Sequence, residues 1–460
     1  MTQEEQLSLV HVSAKQDRGS LDKSPRKLKG VWSWVEPAAW TERMLAALEQ
    51  GVKGDRWFSL MDKVYAKRTL QAAYRKVAAN QGCAGADRVS VKEFGERLEF
   101  NLDRLSDQLR LGTYEPGPIS RKHIPKPGST ETRPLGIPTV RDRVVQTALR
   151  DVLAPIFERD FSEHSYGSRP KRSAKEALRK VVQWLNEGNL WIVDADLKSY
   201  FDTIPHQPLM GLVSEKVADG KVLTLIESFL RQQILEDMNS WTPEEGTPQG
   251  AVISPLLSNI YLNPLDHLMA QQDFKMVRYV DDFIVLTSSE DSAKQALEQI
   301  TQWVERAGLK LHPTKTRLVD MSQPGNSFEF LGYHFERTRK SGKIKRWPRQ
   351  KSAKKFRESI KVYTRRTNGH SLDVIIAKIN PIIRGFFNYF QNSIATSLET
   401  FDGWVRMRLR SILRRRDRRK GRGRHKDHQR WPNRFFGELG LFSLSKARVQ
   451  LCRSPLGQNR

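Results

Sequence analysis

The sequence predicts a mixed α/β fold of the α+β kind, followed by a basic helical region. Two short apolar strand candidates, at 190–195 and 283–287, each lie next to carboxylates. Long helical patterns separate and follow them. Nearly all of the net charge of +26 comes from residues 337–366, with 14 Lys/Arg against one acid, and residues 404–430, with 13 against two. The chain therefore divides into a nearly neutral front and a basic rear.

The composition restricts the class of protein and its compartment. A chain of 460 residues, 38% of them hydrophobic, is long enough for about two to four domains. Its pI of about 10.1 indicates a polyanionic partner. Cys83 and Cys452 are the only cysteines, which excludes a disulfide framework and a Cys-rich zinc site. No apolar stretch reaches the roughly 18 residues of a membrane span or resembles a secretion signal. We expect a cytoplasmic, nucleoid-associated protein that does not bind membranes.

The elements follow in order along the chain. Residues 1–30 are polar and predict a loose arm, and helical patterning continues from there to about residue 110. Six prolines in 113–139 favour extended strands and turns. From about residue 350 the pattern is helical and basic. Further helices are predicted at 140–157, 206–235, 251–270 and 291–308.

Three carboxylates are the strongest chemical signal. Asp196 ends the first strand candidate, and the pair Asp281–Asp282 lies between two apolar strand halves, which predicts a hairpin tip. Either motif alone is equally typical of unrelated turn carboxylates in solvent. Together on one sheet they can hold two divalent cations about 3.5–4 Å apart, the arrangement that nucleotidyl transfer requires. Mg²⁺ suits such a site because it keeps positions for phosphates and water, and Mn²⁺ is an alternative. We therefore predict Asp196, Asp281 and Asp282 as catalytic and metal-binding.

Several motifs resemble one family in sequence and in order. The resemblance covers residues from about 30 to 445. The motifs are IPKPGSTETRPLGIPTVRDRVVQ at 124–146, DADLKSYFDTIPH at 194–206, GTPQGAVISPLLSNIYLNPLD at 246–266, RYVDDF at 278–283, FLGYHF at 330–335 and INPIIRGFFNYF at 379–390. They are similar to the reverse-transcriptase blocks and the maturase domain X of bacterial group II intron-encoded proteins. Cysteine pairs typical of the family's endonuclease domain are absent, so the chain resembles the endonuclease-lacking type.

The resemblance implies a right-hand polymerase with fingers, palm and a helical thumb. It predicts an N-terminal arm and helix at 1–56 and an N-terminal extension at 57–110. Fingers and palm would occupy 111–340, the thumb or domain X 341–403, and a basic DNA/RNA-binding region 404–460.

The resemblance also assigns roles to single residues. Lys126 and Arg133 would hold the triphosphate of the incoming dNTP. Gln249 would contact the nucleotide near its sugar, and Phe201 occupies the steric-gate position. Lys315 matches a lysine near the primer and active site. From the residues alone, we would favour Phe201 as an ordinary core ring, and a plain surface lysine is an open alternative for Lys315.

The arginine-rich rear predicts a nucleic-acid interface. Its self-repulsion is costly unless phosphates neutralise it, and such contacts give affinity that does not depend on sequence. The aromatic residues Phe386, Phe387 and Tyr389 have helical spacing, so we expect them in the core rather than stacked on bases. The expected nucleic-acid-binding residues are Arg406, Arg408, Arg410, Arg414, Arg415, Arg416, Arg418, Arg419 and Lys420.

Two positions depart from the family pattern. Val280 replaces a small residue, commonly Ala, and its extra methyl groups would alter nucleotide fit, processivity or fidelity. Ser168 replaces an aromatic residue, with a consequence that the sequence leaves open.

The leading interpretation is an RNA-directed DNA polymerase that copies intron RNA for retrohoming and assists intron splicing as a maturase. Its partners would be group II intron RNA, a DNA target and dNTPs, while its oligomeric state stays open. One alternative is an intron-free relative that acts in DNA repair or phage defence. Another is a maturase that only binds RNA, against which the intact carboxylate triad argues.

Overall fold

The computed structural model describes residues 30–125, 132–419 and 425–453. Its strands are β1 (Ile119–Pro125), β2 (Thr132–Ile137), β3 (Trp191–Asp196), β4 (Ile234–Glu236), β5 (Asn239–Trp241), β6 (Lys275–Tyr279), β7 (Asp282–Thr287), β8 (Arg317–Asp320), β9 (Ser327–Phe330), β10 (Tyr333–Arg337) and β11 (Ile344–Pro348). Its helices are α1 (Glu42–Gln50), α2 (Met61–Val64), α3 (Lys67–Ala79), α4 (Val91–Glu96), α5 (Leu98–Leu111), α6 (Val140–Glu158), α7 (Ala174–Asn186), α8 (His206–Lys216), α9 (Gly220–Leu230), α10 (Ser254–Gln271), α11 (Glu290–Arg306), α12 (Gln350–Tyr363), α13 (Leu372–Phe390), α14 (Ala395–Arg416), α15 (His425–Arg430), α16 (Asn433–Glu438) and α17 (Leu444–Arg453).

The helices α1–α5 pack around the long helix α6 in the largest hydrophobic core. Trp40 is buried there, and its indole Nε1 donates to the carbonyl of Val152 at 3.1 Å. A capping box between Ser90 and Glu93 begins α4. These contacts attach the N-terminal helices firmly to the body that carries the two central sheets.

The proline-rich segment forms a hairpin, as the sequence predicts. Strands β1 and β2 pair antiparallel from Ser120 opposite Ile137 to Pro125 opposite Thr132. Strands β4 and β5 extend this sheet in the order β2-β1-β4-β5. The expected triphosphate ligand Lys126 lies outside the described residues.

The second sheet is antiparallel throughout, in the order β6-β7-β3-β8, and its side chains alternate between two cores. Val193 and Phe283 lie in the core that contains α10 and α11. Ile192 and Ile284 lie in a second core with α7 and the three-stranded sheet β11-β10-β9. Both faces are covered, so only the strand ends carry polar groups to the surface.

The helices after residue 350 share a third core. Phe387 is buried in it, Phe386 stacks on Phe356 at 4.2 Å, and Tyr389 donates to the carbonyl of Leu331. The prediction that these three aromatic residues are structural is confirmed. The expected domain boundary at 403/404 falls inside α14.

The single helix predicted at 206–235 is wrong, because the chain forms α8, α9 and then β4 there. Asp219 accepts from the backbone N–H groups of Lys221 and Val222, so it begins a new helix. Its other carboxylate oxygen accepts from the N–H groups of Leu60 and Met61, both at 2.8 Å. The break therefore depends on contacts from a distant segment.

Within the described ranges, no helix combines the length and apolar character that crossing a bilayer requires.

Candidate active site

Antiparallel pairing brings the three predicted carboxylates to one end of the second sheet. Asp196 is the last residue of β3 and lies directly opposite Asp282, the first residue of β7. Asp282 also pairs with Tyr279, the last residue of β6, so Val280 and Asp281 form the tip of a tight hairpin. The prediction of a hairpin tip is confirmed. The sheet thus places all three carboxylates on neighbouring positions where the strands end. We call this end of the sheet, formed by Asp196, Asp281 and Asp282, the carboxylate edge.

The hairpin tip has an unusual backbone. Val280 has a φ of +63°, the left-handed region that β-branched residues rarely adopt. Gly167 packs against it so closely that a Cβ there would lie 2.4 Å from the Val280 nitrogen. Ser168, the other departure from the family pattern, is exposed with a φ of +56°. Val280 therefore adopts a strained backbone conformation in this turn, and position 167 has room only for glycine.

Burial and neighbouring carboxylates raise the pKa of Asp281 and of Asp282. The pKa of Asp282 is raised to about 7, first because surrounding protein displaces water and then because Asp281, Asp194 and Asp196 are nearby. Burial also raises the pKa of Asp281, with a further contribution from Asp196, while Arg133 acts in the opposite direction. A cation placed among these groups would relieve this mutual repulsion.

The three carboxylates fit a divalent metal ion whose remaining coordination positions would be filled by the substrate. In the part of the chain that the structure describes, no three His, Cys, Asp or Glu side chains already form a metal cage. Mg²⁺ does not require one, because it binds through one or two carboxylates plus phosphates and water. The ammonium of Lys315 donates to Asp196 Oδ2 at 2.7 Å, so a cation already compensates this edge. Asp196, Asp281 and Asp282 are the groups that would hold the metal.

These pKa shifts predict a pH dependence of the metal-free protein. Asp282 binds its proton more tightly when folded than when unfolded, so its contribution destabilises the fold as pH rises from about 4 to about 7. Metal binding requires the ionised form and should strengthen over the upper part of that range. Thermal unfolding in EDTA and in Mg²⁺, between pH 5.5 and 8, measures both trends. In EDTA, the unfolding temperature of the wild type should fall more steeply with rising pH than that of Asp282→Asn. The same dependence of unfolding temperature on pH in both proteins would contradict the raised pKa of Asp282.

The predicted sugar-contacting residues Phe201 and Gln249 lie on two segments that are hydrogen-bonded to each other and form one wall. Phe201 is half-buried, its ring packs edge-on against Tyr200 at 5.5 Å, and its backbone carbonyl accepts from the Thr247 N–H at 2.6 Å. Gln249 donates through Nε2 to Asp202 Oδ2 at 3.0 Å. This contact fixes the amide so that its carbonyl oxygen remains for another donor.

The sheet β2-β1-β4-β5 contributes to the same wall. Arg121 of β1 lies 3.8 Å from Asp202 and 5.1 Å from the ring centre of Trp241. A cleft of about 270 Å³ opens here beside Phe201. Arg133 is exposed on β2, and its charge reaches Asp281. Asp202 and Arg121, which line this cleft, were not predicted from the sequence, although an acid directly after the predicted gate residue was a usable signal.

The basic rear is more heterogeneous than its sequence. Arg415, Arg418 and Arg419 are exposed. Arg416 is also exposed, but it donates to the carbonyl of His370, and half-buried Arg414 pairs with buried Asp427 at 2.7 Å. Arg406 is half-buried, and Lys420 lies outside the described residues.

The expectation that Arg410 contacts nucleic acid disagrees with its position. Arg410 is only 2% exposed and donates to the Trp431 carbonyl and to Asn433 Oδ1. Its guanidinium also lies over Phe436 at 5.1 Å. Arg408 is half-buried and donates to both Oγ1 and the carbonyl of Thr364. These two arginines stabilise the helices rather than extend the exposed surface.

Comparisons with known proteins agree with this geometry. Residues 124–335 match the family described as reverse transcriptase (RNA-dependent DNA polymerase), and residues 353–431 match the group II intron maturase-specific domain. Protein YkfC of Escherichia coli is 31% identical over 355 residues, covering 68% of this chain and 88% of YkfC.

Other relatives are encoded in introns. Group II intron-encoded protein LtrA of Lactococcus lactis is 31% identical over 339 residues, covering 60% of this chain and 56% of LtrA. The uncharacterized 91 kDa protein in the cob intron of Schizosaccharomyces pombe is 30% identical, covering 69% of this chain and 49% of that protein. The chain thus spans about half the length of these two relatives. Because the two domain matches follow each other on one chain, and YkfC is matched over most of its length, this chain belongs to the group II intron reverse transcriptase and maturase family.

Proposed function

We infer that the chain copies RNA into DNA at the edge formed by Asp196, Asp281 and Asp282. The observation that carries this is the register of the sheet, which places Asp196 opposite Asp282 at the hairpin tip. We assign the sugar of the incoming nucleotide to the wall of Phe201 and Gln249, because a cleft opens beside Phe201. Metal-binding carboxylates and a sugar-facing wall are the two parts that template-directed DNA synthesis needs.

Each residue has a distinct task in this reaction. Two Mg²⁺ ions, replaceable by Mn²⁺, would supply charge stabilisation for the attacking and leaving oxygens. Arg133, together with Lys126, neutralises the triphosphate of the dNTP. Gln249 accepts a hydrogen bond at the sugar through its free carbonyl oxygen. Lys315, which donates to Asp196, would become available to the primer end or the phosphates if a metal ion took its place at this carboxylate.

The activity test is extension of a DNA primer on an RNA template with purified protein. Synthesis should require a divalent cation, stop with EDTA, and resume when Mg²⁺ or Mn²⁺ is restored. The control reaction contains the same protein with an RNA template and a primer that cannot pair with it. Absence of extension under all metal conditions, with protein shown to be folded and bound to the template, would contradict the proposal.

The maturase activity rests on the second domain match and on the basic rear. We place intron RNA and the DNA target along the helices after residue 350, where the exposed arginines concentrate. Splicing assistance requires binding and compaction of RNA rather than chemistry at the carboxylates. Association with chromosomal DNA in the cytoplasm follows from the same charge. No observation favours the repair or phage-defence alternative.

The exposed arginines predict a measurable salt effect. Replacing Arg415, Arg418 and Arg419 with Ala should weaken binding to RNA and DNA of any sequence. The slope of log affinity against log salt should flatten by about 0.7–0.9 per lost phosphate contact. Filter binding across a salt series measures this slope.

The matched control removes three exposed cations of the front, with Lys294 and Arg306 in a helix and Arg231 directly after one replaced by Ala. Both variants lose three charges. Equal slopes in the two variants would mean that the exposed arginines of the rear are only solvated.

A further inference from the structure

A fully buried arginine lies behind the hairpin that carries Asp281 and Asp282. Arg278 of β6 has 0% of its surface exposed. Its Nε and Nη2 donate to the two oxygens of Asp266 at 2.8 and 2.5 Å. Asp266, on α10, is itself only 4% exposed. This bidentate geometry holds the guanidinium in one orientation.

The remaining guanidinium nitrogen reaches the hairpin tip. Nη1 of Arg278 donates to the carbonyl oxygen of Val280 at 2.9 Å and to Asn259 Oδ1 at 2.9 Å. The amide nitrogen of Asn259 donates to the carbonyl of Gly167, also at 2.9 Å. Gly167 is the residue that packs against the Val280 backbone. The network thus contacts the Val280 backbone at two points, its carbonyl oxygen through Arg278 and its nitrogen through the packing of Gly167.

The tip requires such support because its conformation is costly. A Val in the left-handed region is strained, and strained residues persist only where surrounding contacts over-determine them. Without the hydrogen bond to its carbonyl, Val280 would favour an extended or right-handed backbone. Either change would rotate the adjoining peptide and move Asp281 away from Asp196.

We propose that Arg278, fixed by Asp266 and Asn259, is a positioning residue that sets the metal-binding geometry of Asp281 through the Val280 carbonyl. The inference rests on the proposed metal role of the carboxylates. It assigns a function to a buried charge that burial alone would make unfavourable. Lys at this position could pair with Asp266, but one ammonium cannot reproduce the planar fork that also reaches Val280.

The test measures Mn²⁺ binding by electron paramagnetic resonance in a complex that cannot react. The protein is bound to a dideoxy-terminated primer, an RNA template and the matching dNTP. The double variant Arg278→Met/Asp266→Leu leaves no unpaired buried charge and should fold. It should bind Mn²⁺ about 10- to 100-fold more weakly, as expected when the support of a metal ligand is lost. Arg278→Lys should shift affinity in the same direction.

The control removes a different buried pair, with Arg169→Met/Glu158→Leu. Arg169 is 8% exposed, pairs with Glu158 at 2.8 Å and donates to the carbonyls of Ser162 and Ser165. It supports the loop that pairs with β6 but makes no hydrogen bond to Val280, so it controls for damage close to the hairpin. This variant should retain wild-type Mn²⁺ affinity. A purely structural role for Arg278 would give both pairs the same effect, or would lower stability with no change in affinity.

A rescue separates positioning from general damage. Adding Val280→Gly to Arg278→Lys removes the left-handed penalty, so part of the lost Mn²⁺ affinity should return. Wild-type affinity in folded Arg278→Lys or in the folded double variant would overturn the proposal. Unchanged Mn²⁺ binding in Asp281→Asn would instead refute the metal site itself, which keeps the two failures distinguishable.

Discussion

Replacing Asp281 with Asn is expected to abolish DNA synthesis while leaving the fold and RNA affinity largely intact. The amide keeps the size of the side chain but loses the charge that holds a divalent cation. Loss of metal stabilisation worth several kcal/mol corresponds to a decrease of about a thousandfold or more in rate. Asp196→Asn and Asp282→Asn should behave in the same way. Single-turnover primer extension measures the decrease, and thermal unfolding verifies the fold.

The control for this substitution is Asp273→Asn, which removes a carboxylate that is 90% exposed just before β6. It should synthesise DNA at the wild-type rate. Asp281→Asn should also retain the ability to promote splicing of its intron RNA, because that role depends on binding. Polymerisation that survives Asp281→Asn would refute the site, and loss of splicing in the folded variant would count against two separable functions.

Replacing Phe201 with Val should change which sugar the protein accepts. A ring beneath C2′ excludes ribonucleotides by steric clash, and a few kcal/mol of clash corresponds to about a hundredfold discrimination. The variant should incorporate ribonucleotides much faster, while deoxynucleotide incorporation decreases only modestly. Extension rates with paired ribo- and deoxynucleotides give the ratio directly.

A buried phenylalanine away from the wall serves as the matched control. Phe229→Val, in α9, removes the same atoms from a residue that is 2% exposed. It should lower stability, and any loss of activity should affect both sugars in parallel. If Phe201→Val gave an unchanged sugar ratio, Phe201 would be an ordinary core residue.

The carboxylate edge could be predicted because its signals are local. Asp196 ends an apolar run, and Asp281–Asp282 interrupts another, so each pattern indicates a strand end. The proline-rich segment likewise predicted the hairpin of β1 and β2, since proline restricts the local backbone. Sequence resemblance then supplied the polymerase assignment, which the family matches confirm. Charge asymmetry similarly located the basic rear.

Other features depended on contacts between distant segments. Asp219 divides the helix predicted at 206–235 because its carboxylate also holds Leu60 and Met61. Similarity of sequence could not reveal that Arg410 is buried while Arg415 is exposed, because both lie in the same arginine-rich helix. Side-chain direction on a helix is decided by what packs against it.

By itself, the sequence determined the strand ends that carry the three carboxylates and the division into a neutral front and a basic rear, because short-range patterns and composition encode these directly. The family followed from the resemblance of its motifs. Tertiary structure alone decided that Arg278 reaches the Val280 carbonyl while it pairs with Asp266. That contact joins a strand, a helix and a turn. A charged residue in an apolar strand indicates that an oppositely charged partner exists. Only the packing of α10 against β6 determines which residue is that partner.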